Sequence, residues 1–266
     1  MVQVAVAQFA PGLDKDENLA VVRRLVGEAA GRGARVVVLP EFAMFTAPRM
    51  DERFVASAEP LDGPFAQGLG ELARRHGVHV VAGLNERLGE SGRISNTLVA
   101  MGPGGETVAR YRKIHLYDAF GYRESELVRA GEIADPETFV AGGLTFGMQT
   151  CYDARFPEMT RRIVDAGADV LALPAEWVPG PLKEDHWRTL VRARAIENTI
   201  YVAAADQAGP AGVGNSMIID PMGVVLASIG ESTGTAAGEV TAERVAEVRK
   251  KNPALQLRRF GVTPRP

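Results

Sequence analysis

The sequence predicts an α/β protein whose strands are mostly buried and whose helices lie outside them. Three observations support this. Apolar β-branched runs alternate along the chain with stretches of helical apolar spacing. Several runs, Ala34 to Leu39 among them, are continuously apolar, as strands covered on both faces require. No Ser/Pro-rich or charged linker divides the 266 residues, so one domain spanning the whole chain is expected, with an irregular tail from about residue 253.

Taken in order, Val2 to Phe9 reads as a strand. Leu19, Val22, Leu25 and Val26 then recur at helical spacing across 18–30, and Gly31 and Gly33 stop that helix. The apolar run 34–39 ends at Pro40-Glu41. A second helix, about 64–76, leads through Gly77 to a strand at 78–83. Strands at 94–101 and 107–113 flank Gly102-Pro103-Gly104-Gly105, a hairpin turn by composition. A second pair, 139–140 and 144–150, surrounds Gly142-Gly143. After Cys151 come a helix at 157–165, a strand at 169–173, a helix at 186–198 and a strand at 200–205. A late hairpin joins 216–220 to 224–229 across Pro221-Met222-Gly223, and a charged helix follows at 242–251. Val38-Leu39-Pro40-Glu41 is echoed by Ala172-Leu173-Pro174-Ala175-Glu176, which suggests two pseudo-equivalent α/β halves.

Composition excludes several function classes. A net charge of −3 shows neither the basic surface expected of a nucleic-acid binder nor that of a membrane-surface protein. No run approaches the ~18 apolar residues that span a bilayer. The N-terminus enters a strand pattern without a basic segment or cleavage site, so an unprocessed cytoplasmic protein is expected. The single cysteine, Cys151, allows neither an internal disulfide nor a cysteine-rich zinc site.

Other short patterns are decoys. Gly230-Glu231-Ser232-Thr233-Gly234 matches the serine-hydrolase expression, but a strand, not a helix, is expected after it. His76 and His79 straddle the helix-breaking Gly77 and have no carboxylate nearby, so no metal site is expected. The 102–105 glycines precede a strand and cannot present phosphate to a helix N-terminus. Arg188, Arg192, Arg194 and Glu197 share one helix and read as ion-pairing residues, with a possible role in bracing the site from behind.

Three strand ends each deliver one chemically distinctive residue: Glu41 after 36–40, Lys113 after Tyr111-Arg112, and Cys151 after 147–150. If all three strands lie side by side, a carboxylate, an ammonium and a thiol converge beyond their carboxyl ends. A thiol nucleophile needs a base or a nearby cation at neutral pH. Glu41 could take its proton and return it to the leaving group. Lys113 and the backbone N–H of Tyr152 could stabilise the oxyanion. Spacing alone favours the blander reading, in which three residues merely end three strands.

The wording of the segments adds to this. Leu39-Pro40-Glu41-Phe42, Tyr111-Arg112-Lys113-Ile114-His115-Leu116-Tyr117-Asp118 and Cys151-Tyr152-Asp153-Ala154-Arg155-Phe156-Pro157-Glu158 resemble, in order, the three signature segments of the nitrilase (carbon–nitrogen hydrolase) superfamily. The resemblance continues through His186-Trp187, 192–198 and 216–223. It implies a four-layer αββα sandwich that dimerises through the helix after the nucleophile and the C-terminal region. It also implies Glu41 as general base, Lys113 as catalytic lysine, Cys151 as nucleophile and Glu124 as the second glutamate. No cofactor is implied. The reaction is hydrolysis of a small-molecule amide through a thioester, releasing ammonia.

Within the superfamily the segments resemble the branch of ω-amidase and deaminated glutathione amidase. There the arginine four residues after the nucleophile pairs with a substrate carboxylate, and Arg155 matches it; pairing with Asp153 or Glu158 is the alternative. Tyr117 and Trp177 are further candidates for substrate contact. Pro174-Ala175-Glu176-Trp177 departs from the branch, and Glu176 and Trp177 could alter the preferred substrate. N-carbamoyl amino acid amidohydrolase, aliphatic amidase and nitrilase activities, or an idle homologue acting in interactions, are the alternatives.

Overall fold

The computed structural model describes residues 1–89 and 92–264. The chain opens with β1 (Val2–Gln8), α1 (Lys15–Gly31) and β2 (Val36–Val38). The Asp14 side chain caps α1 by accepting from the N–H groups of Asp16 and Glu17. A short α2 (Glu52–Ser57) follows, then α3 (Pro64–His76), which starts on proline and stops at left-handed Gly77. Next come β3 (His79–Arg87), β4 (Ile94–Met101), β5 (Thr107–Arg112), β6 (Phe139–Ala141) and β7 (Leu144–Met148). The second half continues with α4 (Pro157–Asp165), β8 (Val170–Ala175), α5 (Lys183–Asn198), β9 (Tyr201–Asp206), β10 (Met217–Ile219), β11 (Val225–Ser228), β12 (Gly234–Val240) and α6 (Ala242–Lys251). Two 3₁₀ turns, Glu124–Glu126 and Cys151–Arg155, lie at loop positions that matter below.

The strands form two six-stranded sheets, ordered β12-β1-β2-β3-β4-β5 and β11-β10-β9-β8-β7-β6. Each has a parallel centre flanked by antiparallel strands. This is the repeat that the two Leu-Pro strand ends suggest. Because side chains alternate along a strand, each central strand serves two cores. Val4, Val6, Val36 and Val38 face the other sheet, meeting Phe146, Val170, Ala172 and Ile218. Ala5, Ala7, Val37 and Leu39 pack against α1 and α3. On the far side Leu171, Leu173, Val202 and Ala204 pack against α4 and α5. The result is the αββα layering that the resemblance implies.

One expectation is corrected. The strands that deliver Glu41, Lys113 and Cys151 do not lie side by side. β2 and β5 belong to the first sheet with β3 and β4 between them, and β7 belongs to the second sheet. The three residues converge where the two sheets face one another, not along one sheet edge. Gly234 opens β12, which pairs with β1 throughout, so Gly230 to Thr233 is a loop between strands and no helix follows it, as expected.

Candidate active site

Glu41, Lys113, Glu124 and Cys151 are all buried, with relative exposures of 1, 2, 3 and 6%. Lys113 Nζ lies 2.9 Å from a carboxylate oxygen of Glu41 and 2.9 Å from one of Glu124. Asn96 Nδ2, from the third residue of β4, donates to both carboxylates at 2.6 and 3.1 Å. The second oxygen of Glu41 accepts the Glu176 N–H at 2.7 Å, and the Glu124 oxygen nearest Lys113 also accepts the Tyr117 N–H at 2.6 Å. Cys151 Sγ donates to the Glu176 carbonyl at 3.4 Å. The Glu176 backbone thus touches the candidate base through its N–H and the candidate nucleophile through its carbonyl, joining the two Leu-Pro strand ends across the sheets.

Local backbone geometry aims these groups. Phe42, directly after Glu41, has φ 50°, and Cys151 has φ 47°, both left-handed. The turn at Cys151 is fixed by a reciprocal cap between Thr150 and Asp153. Asp153 also accepts from the Tyr111 hydroxyl at 2.6 Å and lies 2.8 Å from His115 Nδ1. Behind it, Arg194 Nε donates to the Ala154 carbonyl at 2.9 Å and Arg194 pairs with Glu197, so α5 braces the turn. Gln207 Nε2 donates to the Glu41 carbonyl at 2.9 Å.

Electrostatics follow from burial and charge count. Burial opposes the Lys113 ammonium, but Glu124, Glu41 and Cys151 outweigh it and hold its pKa well above the ordinary value. Burial, then Glu41, push the Cys151 thiol well up against the pull of Lys113. The resting residue is therefore a thiol that needs a base, not a preformed thiolate. Burial and then Glu41 also push the Glu176 carboxyl well above the carboxylate range.

Asp206, at the end of β9, accepts the Trp177 N–H at 2.7 Å while its other oxygen has no partner. Burial raises its pKa well above the ordinary value, against the backbone N–H groups of Trp177 and Gln207. A raised carboxyl pKa means that unfolding releases a proton, so the stability contributed below about pH 4 is lost as pH rises towards the folded-state pKa. Asp206→Asn, neutral at all pH, should therefore gain on the wild type as pH rises from 4 to 7, by at most about 1.4 kcal/mol per pH unit. Urea unfolding at several pH values checks this; a constant difference would contradict it.

A cavity of about 850 Å³ opens on these groups, its wall including Glu41, Lys113, Tyr117, Glu124, Cys151 and Glu176. Of the other expected contact residues, Trp177 and Arg155 are not in that wall. The Trp177 indole is buried against Trp187 with Arg155 over it, Cζ lying 4.9 Å from the ring centre. Arg155 pairs with neither Asp153 nor Glu158. Asn96 was not anticipated, although the polar run Ser95-Asn96-Thr97 inside a fully buried strand was the available signal. A smaller cavity of about 440 Å³, near Arg110, Arg112 and Glu137, contains none of these groups. Among the described residues no cluster suits a metal, and no helix is long and apolar enough to cross a membrane.

Comparison with known proteins agrees with this geometry. Deaminated glutathione amidase of Escherichia coli O157:H7 is 40% identical over 257 residues, covering 97% of each chain. The Caenorhabditis elegans NitFhit protein superimposes with a TM-score of 0.88 at 30% identity, over 97% of this chain and 65% of that one. An amidase of the nitrilase superfamily from Nesterenkonia AN1 superimposes with a TM-score of 0.80 at 26% identity, over 97% of this chain and 94% of that one. The family model described as carbon-nitrogen hydrolase matches residues 3–250. With its two facing sheets and its buried Glu, Lys and Cys, the chain belongs to the carbon–nitrogen hydrolase family.

Proposed function

We propose that this hydrolase cleaves a carboxylate-bearing small-molecule amide through a thioester on Cys151. The observation that carries the reading is the buried Lys113 ammonium held between Glu41 and Glu124, with the Glu41-bound backbone of Glu176 against the Cys151 thiol. Glu41 takes the Sγ proton as sulfur bonds to the amide carbon, and the carbonyl electron pair moves onto oxygen. Lys113 and the Tyr152 N–H stabilise that oxyanion; one such donor contributes ~3–4 kcal/mol at the transition state. Glu41 then protonates the nitrogen, the C–N bond breaks, and the amine leaves. Water adds to the thioester with Glu41 again taking a proton, and the acid and free thiol are released. Base catalysis of this kind contributes roughly 10²–10⁴-fold.

One observation supports a carboxylate on the substrate, and a second bears on its size. Among the described residues Arg155 has no carboxylate partner, and its Nε is buried without a hydrogen bond. The cavity, at about 850 Å³, is at the roomy end for small-molecule sites, which suits a peptide-sized amide such as deaminated glutathione better than the smallest ω-amides. Purified protein should release amine from deaminated glutathione, with an acyl adduct on Cys151 visible by mass spectrometry after rapid quenching. Turnover confined to uncharged aliphatic amides would overturn the substrate class.

A further inference from the structure

Beyond the four groups at the reaction centre lie two cations without a counter-ion. Lys183, the first residue of α5, is 6% exposed, and its ammonium donates to a single partner, the Tyr117 hydroxyl, at 2.7 Å. Arg155 Nη2 lies 3.4 Å from His186 Nδ1, and its Nε is unpartnered. Among the described residues neither cation forms an ion pair. Aromatic faces stand where carboxylates would be expected. Lys183 Nζ lies 3.8 Å from the Phe120 ring centre and 5.0 Å from that of Tyr117. Arg155 Cζ lies 4.9, 5.6 and 6.0 Å from the rings of Trp177, Phe120 and Tyr152.

Ring faces attract cations more weakly than a carboxylate does, and two like charges brought together under cover oppose folding. Burial and then Arg155 push the Lys183 ammonium down from its ordinary pKa. The ring shared by both cations is not core. Phe120 is 64% exposed, on left-handed backbone (φ 56°) followed by Gly121 (φ 87°). Tyr117 lines the reaction cavity, and its N–H is anchored by Glu124, so the hydroxyl that holds Lys183 is in register with the reaction centre.

We propose that Lys183 is a further specificity-determining residue for the substrate carboxylate, beside the Arg155 that the resemblance already implies, with Phe120 covering the two cations until that carboxylate replaces its ring. The inference rests on the amidase reading above. Lys183 keeps ammonium donors beyond the one given to Tyr117, and Arg155 keeps its Nε edge, so one carboxylate can satisfy both.

The test compares glutaramate with pentanamide, amides of equal chain length with and without a terminal carboxylate. Lys183→Met keeps an unbranched side chain and removes the charge. It should raise KM for glutaramate roughly tenfold to a hundredfold with kcat little changed, and leave pentanamide unaffected. Lys183→Arg should retain part of the preference. An equal loss on both amides would reveal a merely structural lysine and overturn the proposal. Calorimetric binding of glutarate needs no turnover and should weaken at least tenfold in Lys183→Met. Equal binding by both proteins, or none by the wild type, also overturns it. Wild type that binds glutarate but hydrolyses neither amide leaves the anion site standing, and absence of amine release from deaminated glutathione as well would then refute the amidase reading.

Discussion

Cys151→Ala should lose turnover on the order of 10⁴-fold or more while folding normally. Without sulfur no thioester can form, and the remaining carboxylate and ammonium have no nucleophile to serve. The substitution removes one atom and one weak 3.4 Å S–H···O bond, and alanine meets the same left-handed backbone as cysteine. Stability should therefore stay within about 1 kcal/mol of wild type. Amine release and thermal unfolding, measured on one preparation, check both halves. Activity within tenfold of wild type would remove Cys151 from the mechanism.

Lys113→Met should lose both activity and stability. It strands Glu41 and Glu124, exposed by 1 and 3%, with only Asn96 as a shared donor. Breaking a buried pair by removing one partner costs about 3–5 kcal/mol, which in a chain of this size lowers Tm by on the order of 10 °C. Adding Glu124→Gln, which removes one of the stranded charges, should restore much of the Tm but none of the turnover. That separation distinguishes a catalytic ammonium from a purely structural one. A Lys113→Met protein as stable as wild type would show that the two carboxylates do not depend on the lysine.

Much of the fold was legible because its signals are local. The helices at Pro64–His76, Pro157–Asp165 and Ala242–Lys251 have the boundaries that proline, glycine and apolar spacing dictate. The short helix Glu52–Ser57 buries only Phe54 and carries too little periodicity to be read. Sheet membership was not legible at all. Nothing local distinguishes a strand that neighbours β2 from one that faces it, which is why the convergence was expected along one sheet edge. The reactive residues stood out by type and wording. Their partners Asn96, Gln207 and Lys183 did not, because what marks them is a tertiary neighbour: two carboxylates, a backbone carbonyl, a second cation.

The left-handed turns at Phe42 and Cys151 imply a conflict between persistence and activity. A side chain there holds the backbone in a region that costs roughly 1–3 kcal/mol and that glycine occupies freely. Cys151→Gly would relax one turn and abolish the chemistry; Phe42→Gly would relax the other but remove a ring packed edge-on against Phe54 at 5.2 Å. Drift towards greater stability at these two positions would therefore run against selection for turnover, and a lineage freed from that selection would record its release there first.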